Sequence, residues 1–240
     1  MLLELLPRLA RVKRPRLVVD IGSGTGLSTR PWAGVAHRVV GVEPNPDMFA
    51  RAVAATRAKN VRYERRTSDD TGLPAASADI VICMQALHWM EPRPTWTEVA
   101  RILRPGGVFA VVHADMPPVI DPRVDGALRA VELAANRLKA QRRFDPDERK
   151  WSREEHQRCM KRLGRFAWWR EIGLHDADAG DAGRAVGLAM SMGDTLKALR
   201  NGISERALGL DRLRRAAARA MGARGVPWLW SYTALLAIRR

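Results

Sequence analysis

The stretch Leu17-Val18-Val19-Asp20-Ile21-Gly22-Ser23-Gly24-Thr25-Gly26 constrains the chain more than any other. Its first half is short, apolar and β-branched, the pattern of a strand buried on both faces of a parallel sheet. It then breaks into glycines at alternate positions, and the residues from Leu27 to Ala33 read as a helix. A strand that runs through a Gly-rich turn into a helix N-terminus is a ligand-binding device. Glycine lets backbone approach a ligand closely, and the first helical turn carries unpaired N–H groups. The spacing narrows the ligand. A dinucleotide fingerprint needs G-x-G-x-x-G, whereas the glycines here are 22, 24 and 26 and position 27 is Leu. No G-K-[ST] follows, which excludes a phosphate-clamping P-loop. Asp20, just ahead of the glycines, would repel a pyrophosphate and suits a ligand carrying an ammonium group.

From this stretch the chain alternates β and α about five times. Residues 1–15 predict a helix that Pro15 ends, and strand one covers roughly 16–21. The second apolar run, 37–43, ends in Glu43, 19 residues past Gly24. In a βαβ unit that is where an acid at a strand tip accepts both hydroxyls of a ribose. Asn45 or Asp47 is available as the cap of the next helix, with Pro46 in its first turn. A short third strand at 61–65 leads to a loop holding Ser68 and Asp69. The fourth strand, 78–84, delivers Gln85 and His88-Trp89 at its carboxyl tip, where open α/β sheets place their chemistry. A helix at 91–103 and a fifth strand at 108–113 complete the alternation, which predicts an α/β, Rossmann-like, doubly wound parallel sheet. After His113 the rhythm changes. Residues 122–163 and 181–222 predict helices, the latter broken at Gly193, Gly202 and Gly209, and strands are expected at 165–175 and 228–238. The implied organisation is a core over 1–113, a helical insertion or lid over 114–164, and a return to the sheet over 165–240 with a helical insertion at about 176–226.

Composition excludes some classes. No apolar run approaches the roughly 18 residues that span a bilayer. Two cysteines, Cys83 and Cys159, without zinc-site spacing point to a reduced, cytoplasmic protein with no disulfide and no metal. Net charge is +15, and residues 137–170 hold twelve Lys/Arg against five Asp/Glu. Those cations alternate with Glu148, Glu154 and Glu155, as on a solvated helix face, and no RNA-module signature accompanies them. Nucleic acid is therefore a possible partner but not the favoured one. The sequence carries no sign of the oligomeric state.

Taken in order, several features resemble the class I methyltransferases that use S-adenosylmethionine, in particular their ubiquinone/menaquinone-biosynthesis-like, small-molecule branch. They are Asp20-Ile21-Gly22-Ser23-Gly24-Thr25-Gly26, Glu43, Ser68-Asp69, Gln85 with His88-Trp89, and Arg101-Ile102-Leu103-Arg104-Pro105-Gly106-Gly107. The resemblance covers roughly residues 16–113 closely, and the late strand pair fits the family's sixth and seventh strands, the seventh antiparallel. It implies that Gly22, Ser23 and Gly24 line the methionine end of the cofactor, with Asp20 supporting its ammonium. Glu43 then binds the ribose, Pro44 packs on the adenine, Ser68 and Asp69 edge it, and Gln85 closes the methionine side. Many members carry a longer N-terminal segment that helps cover the pocket; about 16 residues precede the first strand here.

The implied reaction is methyl transfer from S-adenosylmethionine to a small-molecule acceptor, with aromatic and natural-product-like molecules as candidates, leaving S-adenosylhomocysteine. His88 is the candidate general base, because histidine titrates near neutrality; its other reading is a pocket wall. Trp151, Trp168, Trp169, Trp228 and Trp230 are candidates to stack on a flat substrate, with core packing the stronger expectation. Two alternatives stand beside this: a tRNA or rRNA methyltransferase using the basic 137–170 region, and a catalytically inactive protein that binds the cofactor as a partner subunit.

Overall fold

The five residues Leu17–Ile21 form β1, and every one of them is buried. In the computed structural model, which describes residues 1–142, 149–221 and 225–240, β1 lies near the middle of a seven-stranded sheet of order β3-β2-β1-β4-β5-β7-β6. The other strands are β2 (Arg38–Val42), β3 (Val61–Glu64), β4 (Ala78–Met84), β5 (Leu103–Val119), β6 (Phe166–Gly180) and β7 (Val226–Arg239). β1 pairs in parallel with β2 and β4, β2 with β3, and β4 with β5. The last strand enters antiparallel, as its end shows: Arg240 N–H donates to the Arg165 carbonyl at 2.9 Å. The carboxyl ends of β1, β2, β4 and β5 therefore share one edge, with the strand-order reversal between β1 and β4, the crevice position of open α/β sheets.

The helices follow the expected rhythm, with two departures. α1 (Leu2–Leu9) stops well before Pro15. Arg11 takes φ 55°, and the Arg11 and Val12 N–H groups donate to the Arg8 and Pro7 carbonyls at 3.1 and 3.0 Å. This is a Schellman closure with Arg where glycine is usual. The helix expected at Leu27 to Ala33 does not form either. Turns occupy that region, followed by one short 3-10 segment, Arg30–Gly34. Downstream, α2 (Pro46–Ala55) is capped by Asn45, whose side chain accepts from the Asp47 and Met48 N–H groups. A 3-10 turn, Leu87–Trp89, joins β4 to α3 (Pro92–Ile102).

The chain divides into two compact units. One comprises 1–113, 149–173 and 233–240; the other comprises 114–148 and 174–232. The first division falls after His113, and residues 149–173 belong to the first unit. In the first unit, α5 (Arg153–Leu163) opens with a reciprocal Ser152–Glu155 capping box and stops at Gly164 in the left-handed region. Its core centres on Trp96, fully buried and edge-on to Phe109 and Phe166 at 5.0 and 5.3 Å. The second unit combines the far parts of β5, β6 and β7 with helices: α4 (Pro122–Arg142), α6 (Ala182–Ser191), α7 (Gly193–Arg200), α8 (Glu205–Leu208) and α9 (Leu210–Met221) close around Leu128, Leu213 and Trp228. Residues 143–148 and 222–224 of the expected helical stretches, the former also part of the basic 137–170 run, lie outside the described residues.

Candidate active site

At the end of β1 the glycine loop turns on its own hydrogen bonds. Gly22 and Ser23 N–H both donate to the Val42 carbonyl, at 2.8 and 3.1 Å, and Gly26 N–H donates to the Ser23 carbonyl at 2.9 Å. Gly24 N–H donates to Glu43 Oε2 at 2.8 Å, and the other Glu43 oxygen accepts from Asn45 N–H at 2.9 Å. These N–H groups are already engaged, and no helix N-terminus follows, so the loop is a poor cradle for a pyrophosphate. Glu43 is buried, yet each carboxylate oxygen keeps a second acceptor site. Gly22 has to be glycine for two reasons. Its φ is 68°, and a Cβ there would lie 2.6 Å from the Ala86 Cβ and 2.7 Å from the Met90 methyl. The loop thus abuts the segment that follows β4.

Asp20 explains why the expected helix gives way to turns. The hydroxyls of Ser28 and Thr29 both donate to its Oδ2 at 2.6 Å, folding the chain back onto the end of β1. Oδ1 is buried without a partner, and so is the hydroxyl of Ser23. Burial pushes the Asp20 carboxyl up to about pH 6 against the two hydroxyl bonds, and the nearby Glu43 charge adds to the rise. Two orphaned acceptors beside one loop are rare in a folded protein and call for a donor. A ligand ammonium would satisfy both and return Asp20 to its charged form.

The remaining expected residues are distributed unevenly. Pro44 follows Glu43 and is exposed. The Ser68 hydroxyl pairs with that of Thr95 at 3.0 Å, and Asp69 is exposed; neither hydrogen-bonds to the glycine loop among the described residues. Gln85 takes φ 57°, strained for a residue with a Cβ, and its N–H donates to the Val112 carbonyl at 2.9 Å. Strain of this kind clusters where a backbone is held for function.

His88 sits on the 3-10 turn after Gln85, its ring 4.8 Å from that of Trp89 and its carbonyl accepting from Trp151 N–H at 2.8 Å. It lines a recess of about 40 Å³ with Leu87, His113, Trp151, His156 and Thr233. His156, on α5, is the residue that sequence reasoning missed. It is buried, and its Nδ1 accepts from the Trp96 indole N–H at 3.1 Å. Nothing in the sequence pairs positions 60 apart, and a histidine among Arg and Glu reads as part of a solvated face. Trp151 borders the recess, Trp228 is core, and Arg149, Lys161 and Arg184 stack on Trp151, Trp169 and Trp228. Both cysteines are free thiols, with burial pushing that of Cys83 up. Among the described residues no cluster of three His, Cys, Asp or Glu is placed to hold a metal ion, and no helix is long and apolar enough to cross a membrane.

Comparison with known proteins bears on this geometry. A family described as a methyltransferase domain matches residues 19–111, the span from β1 into β5. The uncharacterized methyltransferase YcgJ of Bacillus subtilis is 30% identical over 129 residues, 51% of each chain. The chain spans about half the length of the curated relatives it matches, or less. A structure from Anaeromyxobacter dehalogenans, proposed to be a type II methyltransferase, superposes with a TM-score of 0.69 at 25% identity over 100% of this chain and 94% of that one. The geranyl diphosphate C-methyltransferase of Streptomyces coelicolor, solved with S-adenosylhomocysteine, shares the fold at a TM-score of 0.54 and 16% identity over 99% of this chain and 77% of that one. These relatives do not single out the ubiquinone/menaquinone-like branch. The glycine loop, the acid on the neighbouring strand and the matched domain agree: residues 19–111 match a methyltransferase domain, and the chain is similar to the class I S-adenosylmethionine-dependent methyltransferases.

Proposed function

We propose that this chain transfers a methyl group to a small-molecule acceptor. S-adenosylmethionine supplies the activated methyl on its sulfonium, so the protein's share is binding, orientation and exclusion of water. Glu43 accepts the ribose hydroxyls with its free acceptor sites, and Pro44 covers one face of the adenine. Gly22, Ser23 and Gly24 line the methionine end, Gln85 closes it, and Asp20 with Ser23 receives the ammonium. Ser68 and Asp69 edge the adenine. His88 takes the acceptor's proton where the acceptor has one to lose. The observation that carries this reading is the pair of orphaned buried acceptors, Asp20 Oδ1 and Ser23 Oγ, on the loop that Glu43 holds in place. A small acceptor is favoured over nucleic acid because, among the described residues, part of the basic stretch is locally answered: Arg149 lies 3.5 Å from Glu155. Arg153 Nε is 2.7 Å from Glu171, and Arg149 and Lys161 lie over tryptophans.

Calorimetry with S-adenosylmethionine and S-adenosylhomocysteine tests the site. Saturable binding of both is expected, and absence of heat with either removes the proposal. A gel shift with bulk RNA that weakens steeply with salt would instead favour the nucleic-acid alternative.

A further inference from the structure

His156, on the wall of the recess beside the 3-10 turn, carries a buried polar atom that the assignments above do not use. The Trp96 indole N–H donates to His156 Nδ1, so the ring's proton sits on Nε2. That Nε2 is buried and has no hydrogen-bond partner. The Leu87 and Met90 carbonyls lie close enough to favour a charged ring, yet neither completes a hydrogen bond to it. Burial prevails and pulls the imidazole down to about pH 4, so it stays neutral near pH 7 and its tautomer is fixed. The result is an oriented, uncharged donor, itself shielded from solvent, on the wall of a small recess whose other walls include Leu87, Val111, Leu235 and Arg153, the last paired with Glu171. A charged group would be costly there, and a purely apolar one would leave the N–H unsatisfied.

Resting on the methyltransferase reading, we propose that this recess anchors a neutral oxygen of the methyl acceptor, a carbonyl or its equivalent, through a hydrogen bond from His156 Nε2–H. The recess takes a small oxygen-bearing projection of the acceptor, and the 3-10 turn carrying His88 forms its wall on the side of β4. Ala86 and Met90 of the same segment pack on Gly22, which links the recess to the glycine loop through five consecutive residues. Trp96 is a positioning residue: it selects which imidazole nitrogen is the donor.

Acetophenone and α-methylstyrene separate the cases, since they share a shape and differ in C=O against C=CH₂. With the histidine-¹⁵N-labelled chain, acetophenone is expected to shift the His156 Nε2–H resonance and to bind about tenfold more tightly than α-methylstyrene, the worth of one buried hydrogen bond. His156→Phe is expected to abolish that preference while leaving S-adenosylmethionine binding unchanged. His156→Gln, with a carbonyl for the Trp96 indole and an amide N–H for the recess, restores part of the preference. Equal binding of the two probes, or a shift at His156 that both produce, overturns the proposal. The wild-type titration decides the matter even if His156→Phe does not fold. Cofactor binding without probe preference defeats the recess alone, and probe preference without cofactor binding defeats the methyltransferase reading alone.

Discussion

The glycine loop and the histidine recess stand at the same edge of the sheet and are built in opposite ways. The loop is nearly contiguous: Asp20, Gly22, Ser23, Gly24, Ser28 and Thr29 lie within ten residues, and only Glu43 comes from the next strand. The recess is assembled from the turn after β4, the middle of β5, α5 with the residues just before it, and β7. Their electrostatics are also opposed. The loop buries an acid with a spare acceptor, whereas the recess buries a neutral donor. A cofactor common to a large family can be held by a short, repeated device. An acceptor particular to one protein is met by residues that only the tertiary fold brings together.

The contrast is broken most directly at Glu43. Its two oxygens hold Gly24 and Asn45, so Glu43→Ala removes the proposed ribose acceptor and the loop's brace together. S-adenosylmethionine affinity is expected to fall by about a hundredfold or more, as for loss of charge-assisted hydrogen bonds. Probe selectivity in the recess should not change. Unaltered cofactor affinity by calorimetry would remove the ribose assignment and with it the division of labour.

The two regions should also answer acid with opposite signs. The Asp20 carboxyl is raised from 3.8 to about 6 in the folded protein. Its contribution to stability is therefore fully present below pH 3.8 and is lost as pH rises through 6, a difference of about 3 kcal/mol by linkage. His156 is lowered from 6.5 to about 4, so its contribution is present above pH 6.5 and is lost as pH falls through 4. Between these limits the two partly cancel. Urea unfolding across pH 4.5–6.5 should show Asp20→Asn losing stability on acidification more steeply than wild type, and His156→Phe less steeply. Parallel profiles for all three would show that neither group is buried as the fold places it.

How much of this is legible in the sequence follows from the same contrast. β1 and the glycine turn are readable because burial on both faces leaves a continuous apolar run, and the Asn45 cap because its chemistry is local. The expected helix after the loop fails because Ser28 and Thr29 reach back to Asp20, a side-chain competition that helical periodicity does not register. α1 ends early at an Arg in the left-handed conformation, where composition points to Pro15. His156 is invisible for a different reason. Its identity as a donor depends on Trp96, which belongs to another helix.

At His88 the effect expected is smaller and purely kinetic. His88→Ala should slow turnover on the order of a hundredfold where the acceptor must lose a proton, and leave cofactor affinity intact. Full activity would make it a wall of the recess, shared with His113 and Trp151.

Ser28→Ala gives the finest cut. Ser28 supplies one of the two hydroxyl bonds that stabilise ionised Asp20, and Thr29 supplies the other. Its removal should cost about 1 kcal/mol of cofactor affinity near neutral pH, since binding requires the charged carboxylate. The signature is in protons. If the ligand's ammonium recruits ionised Asp20, binding below pH 6 releases a proton and binding well above pH 6 does not. Calorimetry in two buffers of unlike ionisation enthalpy measures that release. In Ser28→Ala the release should persist to higher pH, because the uncharged form has lost a competitor. The recess, which shares no hydrogen bond with Ser28, should keep the same preference between acetophenone and α-methylstyrene. Proton release that is absent at every pH would mean that Asp20 stays neutral beside the ligand and braces the turn alone.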